Sequence, residues 1–166
     1  MNSTTRRPTR VRFWLIAAAV LGLVTASCSS GEPADTAASA PQPSAAAGTV
    51  VVHRTPTCGC CKEYEEYLRR HGWDVESVIF DDLSAVRAER QVPNDGSSCH
   101  TSDVGGYVVE GHVPVEAIDM LLESRPAVDG ITVPGMPTNA PGMGPENGRL
   151  EVLSFTDGGI EPFVTL

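Results

Sequence analysis

The chain has 166 residues, 12 basic against 21 acidic side chains, and a formal net charge of −9 at pH 7. An acidic balance of this size excludes a nucleic-acid surface, which needs clustered cations to displace counterions from phosphates. Three of the five cysteines fall within Cys58–Cys61, so bridges among them close no long loop and a disulfide-scaffold protein is excluded too.

The first residues read as a leader. Arg6, Arg7, Arg10 and Arg12 precede an apolar run, Phe13–Val24, that ends in Thr25-Ala26-Ser27-Cys28. A basic stretch, a short apolar run and small residues describe a signal peptide over residues 1–27. The run falls short of the ~20 residues of a membrane span. Cys28, directly after small residues, resembles the lipidated cysteine of bacterial lipoprotein signals, although Thr25 stands where a larger aliphatic residue is usual. Ordinary secretion is the alternative. Residues 28–48 then form the lipidated cysteine and a tether of Ala, Ser and Pro, too poor in apolar bulk to offset its ordering entropy. This leaves one small domain, residues 49–166. Removal of the leader takes away four arginines and no acid, leaving 8 basic against 21 acidic residues, a balance of −13.

The domain opens on Thr49-Val50-Val51-Val52-His53, a β-branched run that reads as a buried strand. Pro56 stops it. Thr57-Cys58-Gly59-Cys60-Cys61 follows, and Tyr64, Tyr67, Leu68 and His71 then repeat with a helical period until Gly72. A strand that delivers cysteines onto a helix start puts sulfur where backbone N–H groups and the helix dipole favour a thiolate. Cys58 and Cys61 take the cap and third positions, which face each other, so a Cys58 thiolate can accept the Cys61 N–H. Cys60 lies between them, as a third ligand or a packed thiol.

Trp73–Phe80 reads as a second strand, and Asp81 or Asp82 as the cap of a short helix that runs to Arg90. Cys99–Val104 and Tyr107–Glu110 flank Gly105-Gly106, the signature of a two-residue hairpin. Pro114 suits the first turn of a helix carrying Ala117, Ile118, Leu121 and Leu122 on one face. The order β-α-β-α-β-β-α is the thioredoxin-like, α/β arrangement. Beyond it, Ile131–Gly148 is a loop rich in Met, Pro and Gly, and Leu150–Phe155 with Ile160–Val164 reads as a closing β-hairpin.

In that topology the first strand ends, the third begins and the fourth finishes at one rim of the sheet. Cys58–Cys61, Cys99-His100 and His112 are therefore expected to converge. His53 reads as a packed strand residue and His71 as a helix-end residue facing the dipole.

Four separated motifs carry a resemblance. Thr57-Cys58-Gly59-Cys60-Cys61, Ser98-Cys99-His100-Thr101, the block Gly105–Pro114 and Val133-Pro134-Gly135-Met136-Pro137 resemble the bacterial family known as domain of unknown function number 411. The likeness covers about residues 49–165. It implies a thioredoxin-like core, metal binding, an extracytoplasmic location and frequent association with copper resistance, without an established mechanism.

The ligands expected from the residues are Cys58, Cys60, Cys61, Cys99 and His100, with His112, Met136 and Met143 as weaker candidates. Thiolate and thioether select Cu(I), while three thiolates and an imidazole also suit zinc. Copper is the first expectation, held by a membrane-anchored lipoprotein that sequesters the ion or passes it to a donor or acceptor protein. A thiol–disulfide oxidoreductase using Cys58 and Cys61 and a structural zinc module are the alternatives. Catalysis by a Ser-His-Asp set, a phosphate loop or paired carboxylates finds no matching motif.

Overall fold

The computed structural model describes residues 48–157 and 159–166. The expected signal peptide, Cys28 and nearly all of the tether lie outside the described residues. The elements are β1 (Thr49–Arg54), α1 (Gly59–Arg70), β2 (Asp74–Ile79), α2 (Ser84–Glu89), β3 (Thr101–Val104), β4 (Tyr107–Glu110), α3 (Val115–Ser124), β5 (Gly130–Thr132), β6 (Glu151–Thr156) and β7 (Gly159–Thr165), with a 3-10 turn at Asn94–Gly96. This is a mixed α/β fold built on one seven-stranded sheet in the order β2-β1-β3-β4-β5-β6-β7.

Strand pairing follows from connection length. β1 and β2 run parallel because α1 crosses between them, whereas β3 and β4 are antiparallel across a two-residue turn. Gly105 and Gly106 occupy that turn at φ 57° and 92°, values that both central residues of such a hairpin need and that glycine reaches without strain. β3 lies antiparallel to β1, pairing His53 with Thr101 and Val50 with Val104.

Side-chain alternation divides the sheet into two faces. Val50, Val52, Val104 and Val109 belong to the apolar core with Tyr64, Tyr67 and Leu68 of α1 and Ile118 and Leu121 of α3. The opposite face carries His53, Thr101, Asp103 and Glu110. Two arginines on or just after α2 reach it: Arg87 bonds Glu110, and Arg90 bonds Asp103. Helix α2 thus answers polar strand positions with guanidinium groups, where α1 and α3 answer apolar ones with bulk. Asp82 accepts the Ser84 N–H at 3.0 Å, so it satisfies one of the free amides at the start of α2 from just outside the helix.

Two local departures from the sequence reading stand out. The loop expected over Ile131–Gly148 begins with a strand, because Gly130–Thr132 pairs parallel to β4 and antiparallel to β6. That short strand carries the final hairpin into the main sheet. Cys99 and His100 also sit just before β3 and not within it. Among the described residues no helix is long and apolar enough to cross a membrane.

Candidate metal centre

Cys58 is the N-cap of α1, in extended backbone with φ −72° and ψ 97°, and its sulfur accepts the Cys61 N–H at 3.3 Å. The geometry expected for a cap sulfur is present, and Cys58 and Cys61 are joined as a disulfide. Cys60 and Cys99 are free thiols, each half-buried. Cys60 Sγ lies 3.6 Å from Cys58 Sγ and 4.0 Å from Cys99 Sγ. The first cysteine turn is held from behind by Arg54 at the end of β1. Its guanidinium bonds buried Glu65 at 2.6 Å and the Thr55 carbonyl at 3.2 Å.

The second segment comes over the rim from β3 and β4. Cys99 Sγ is 3.3 Å from His100 Nδ1 and 3.1 Å from His112 Nε2. His112 Nδ1–H donates to the Pro141 carbonyl at 2.6 Å. That bond leaves Nε2 as an acceptor 3.1 Å from Cys99 Sγ, so the S–H donates a hydrogen bond to the imidazole. A carbonyl–histidine–ligand arrangement of this kind fixes the tautomer of a metal-binding imidazole. Gly111 makes the close approach possible. Its φ is +77°, its N–H bonds the His100 carbonyl at 2.9 Å, and a Cβ there would meet the Val133 carbonyl at 2.7 Å.

Two groups of donors result, one of Cys58, Cys60, Cys61 and Cys99, the other of Cys99, His100 and His112. In each, the donor atoms lie within 4.8 Å of one another. Cys99 belongs to both. On a tetrahedral ion with sulfur at about 2.3 Å and imidazole nitrogen at about 2.0–2.1 Å, neighbouring donors stand roughly 3.6–3.8 Å apart. The separations around Cys99 are within several tenths of an ångström of that, so the residues fit an ion with small adjustments.

The electrostatics suit neutral imidazoles and a protonated resting thiol. Burial pushes the Cys99 thiol up to about 12, helped by the neighbouring Cys60. Burial also drives His100 well below the ordinary histidine range, with His112 and Arg87 adding to it. His112 is lowered by burial against the opposing pull of the Pro141 carbonyl. Imidazoles kept uncharged compete for a cation with open lone pairs. It is His100 Nδ1 that faces the Cys99 sulfur, while Nε2 is buried on the other side of the ring without a hydrogen-bond partner.

The weaker candidates divide. His112 stands as close to Cys99 as His100 does. Met136 is 58 % exposed at the loop that follows β5, and Met143 packs against the apolar core. Their segment is tied to its surroundings at two glycines. Gly135 N–H bonds the Ser97 carbonyl, and Gly142 sits so near the start of α1 that a Cβ would lie 2.8 Å from the Tyr64 nitrogen. His53 is packed and bonds Asp103 at 2.7 Å, while His71 caps α1 with Nδ1 2.8 Å from the Tyr67 carbonyl. Both therefore lie outside the cluster.

Three contributors were not singled out from sequence. Tyr64 walls the centre, its ring centroid 4.7 Å from that of His100 and 5.1 Å from that of His112. Its place three residues after Cys61 was the available signal. Pro141 acts through its carbonyl, which residue type does not advertise. Glu110, an acid ending an apolar strand, is fully buried and bonds the backbone beside Cys99.

Comparison with known proteins gives the same region. A family model described as "Protein of unknown function, DUF411" matches residues 96–143, a span with Cys99, His100 and His112 but not the first cysteine turn. A solved structure, "Copper resistance protein copG- Form 2", is similar at 36% identity and a TM-score of 0.65, covering 71% of this chain and 97% of that one. A second, "Copper resistance protein copG- Form 1", is similar at 36% identity and a TM-score of 0.66, covering 72% and 98%. No curated protein matches the chain. By its family motif and these full-length relatives, the chain belongs to the DUF411 family of proteins of unknown function.

Proposed function

We propose that this domain binds a soft metal ion, Cu(I) before Zn, and that it sequesters the ion or exchanges it with a donor or acceptor protein. The observation that carries this reading is the sharing of Cys99 between a sulfur group and an imidazole pair. Soft thiolates favour Cu(I), and neutral imidazoles accept either metal. Both similar structures are of a copper resistance protein, which supports copper over zinc. We read the first four strands as a thioredoxin-like core. The order β2-β1-β3-β4, with β1 and β2 parallel and β3 reversed, and cysteines at the cap and in the first turn of α1 support that label. An export signal over residues 1–27 and lipidation at Cys28 would place the domain on a tether outside the cytoplasm, where copper stress is met.

One observation favours a second reading. The Cys58–Cys61 disulfide at a helix start is the arrangement of a thiol–disulfide oxidoreductase, with Cys58 attacking and Cys61 resolving. Cys60 and Cys99 crowd that pair, which favours metal over a peptide substrate. The test is Cu(I) titration of anaerobically reduced domain, beside metal analysis of protein isolated from the extracytoplasmic fraction. Copper in the isolated protein, and weaker Cu(I) binding by Cys58→Ser and Cys61→Ser, are expected. Full-affinity binding by both variants would overturn the assignment of Cys58 and Cys61 as ligands, and absence of Cu(I) binding by the parent together with metal-independent reduction of a disulfide substrate would overturn metal binding in favour of the enzyme. Zinc in the isolated protein and loss of fold on chelation would assign a structural zinc module instead.

A further inference from the structure

We propose that Glu110 and Arg87 are positioning residues that hold the Cys99-His100 turn against the first cysteine turn. The proposal rests on the metal-binding reading only for what the turn is held to do.

The contacts converge on one residue, Ser98, the neighbour of Cys99. Glu110 Oε1 accepts the Ser98 N–H at 2.7 Å and the Arg87 Nε–H at 3.0 Å. Arg87 Nη2 donates in turn to the Ser98 carbonyl. Both backbone groups of Ser98 are thus held by a single ion pair. Glu110 Oε2 accepts the Thr101 hydroxyl at 2.6 Å, and the His100 carbonyl accepts the Gly111 N–H at 2.9 Å. The turn is therefore held on both sides of Cys99 and His100. Apart from that one backbone bond at His100, side chains here do what a ladder does elsewhere.

Energetics point the same way. The Glu110 side chain is 0% exposed and that of Arg87 23%. Burying such a pair recovers in attraction about what it loses in hydration, and apolar replacements of like volume are often as stable. A pair of that kind contributes little net stability, but it fixes geometry, because its fork accepts only one arrangement of the backbone it grips.

Charge and position predict opposite results here. Loss of the Glu110 charge leaves the Arg87 cation unbalanced near the sulfurs, which by attraction alone would strengthen an anionic thiolate–metal complex. Loss of the grip frees the turn and weakens it. Glu110→Gln keeps the shape, an acceptor for Ser98 and a partner for Thr101 while removing the charge. Glu110→Leu removes the grip and fills the volume. Arg87→Met releases the Ser98 carbonyl and removes one donor to Glu110 Oε1 while the Ser98 N–H bond stays, so it is a second grip variant that leaves Glu110 itself in place.

The experiment has two readouts on each variant, with folding checked by circular dichroism. One is Cu(I) affinity and the thiolate-to-metal absorption band. The other needs no metal, being the rate at which iodoacetamide alkylates Cys99 in a Cys60→Ser background with the Cys58–Cys61 disulfide intact. Expected are at least a tenfold loss of Cu(I) affinity, a shifted band and at least threefold faster alkylation for Glu110→Leu and Arg87→Met. Glu110→Gln should stay near wild type in all three. Unchanged alkylation in both grip variants overturns the proposal. So does tighter Cu(I) binding by Glu110→Gln and Glu110→Leu alike, which would make the effect one of charge. If the parent protein binds no Cu(I) yet the grip variants alkylate faster, the positioning role stands and the metal reading fails.

Discussion

Replacement of Cys99 tests the shared-donor geometry most directly. Its sulfur lies 4.0 Å from Cys60 Sγ, 3.3 Å from His100 Nδ1 and 3.1 Å from His112 Nε2, so Cys99→Ala removes the atom common to both donor groups. With Cys58 and Cys61 joined, it leaves one free thiol and two imidazoles that no longer share a sulfur. Partners that merely orient metal ligands are worth about 10–100-fold in affinity. Loss of the shared ligand itself should cost at least about 100-fold, roughly 2.7 kcal/mol. Cys60→Ala leaves the Cys99–His100–His112 group intact and should cost about tenfold. The fold should tolerate both changes, since each thiol is half-buried and such substitutions away from the core cost about 1 kcal/mol or less. The assay is anaerobic competition for Cu(I) against a chromophoric chelator, on protein that keeps the Cys58–Cys61 disulfide, with thermal unfolding alongside. Cys99→Ala binding within about threefold of wild type, or Cys60→Ala losing more than Cys99→Ala, would refute the reasoning that Cys99 joins the two groups.

Two further outcomes follow from the surroundings of the site. Tyr64→Phe keeps the ring against both histidines but deletes the hydroxyl that donates to the buried Val113 carbonyl at 2.7 Å. The orphaned acceptor should cost about 1–3 kcal/mol, a melting-temperature drop of roughly 4–12 °C for a domain of this size. Cu(I) affinity should change little, and a large affinity loss with no change in melting would contradict this assignment of roles. For Asp103, burial raises the carboxyl, but hydrogen bonds from Arg90 and His53 outweigh it together, and the net shift is downward. A depressed folded value means that its stabilisation is complete above the unfolded carboxylate value of about 3.9 and fades as pH falls through the lower folded one. Asp103→Asn should therefore melt below wild type at pH 7, and the two curves should draw together as pH falls below the unfolded carboxylate value. A gap that stays constant from pH 7 to pH 2.5 would show that the ion pair is not its source.

Much of the scaffold could be read from residue pattern because its signals are local. A β-branched run, a Pro stop and an apolar period at Tyr64, Tyr67 and Leu68 specify β1, its end and the buried face of α1 without tertiary information. Gly105-Gly106 specifies the hairpin between β3 and β4 for a similar reason, since the turn demands two positive φ values. From those elements, strand direction alone brings Cys99, His100 and His112 to the end of the sheet where β1 releases Cys58. The short strand β5 escaped because Gly130–Thr132 has too few residues to show a period and lies among Pro and Gly. Its strand character comes from neighbours on both sides, which are distant in sequence.

The parts of the centre that pattern did not yield share a physical property. Each acts through, or upon, the main chain. Pro141 holds His112 by a carbonyl that any residue would supply, and only the path of the loop decides that this carbonyl arrives 2.6 Å from Nδ1. Glu110 and Arg87 take hold of Ser98 by its N–H and C=O, so nothing about the serine side chain announces the contact. Sequence names donors well when the donor is a thiol or an imidazole, because few residues carry those atoms. It names their supports poorly, because peptide groups recur at every position and their use is settled only when the chain closes. A charged residue amid an apolar run is the exception. Tyr107-Val108-Val109-Glu110 places a carboxylate where burial disfavours it, and such a group persists only if several donors meet it. The buried acid was therefore a legible sign that an organised set of donors lay behind the Cys99-His100 turn, even though their identities were not.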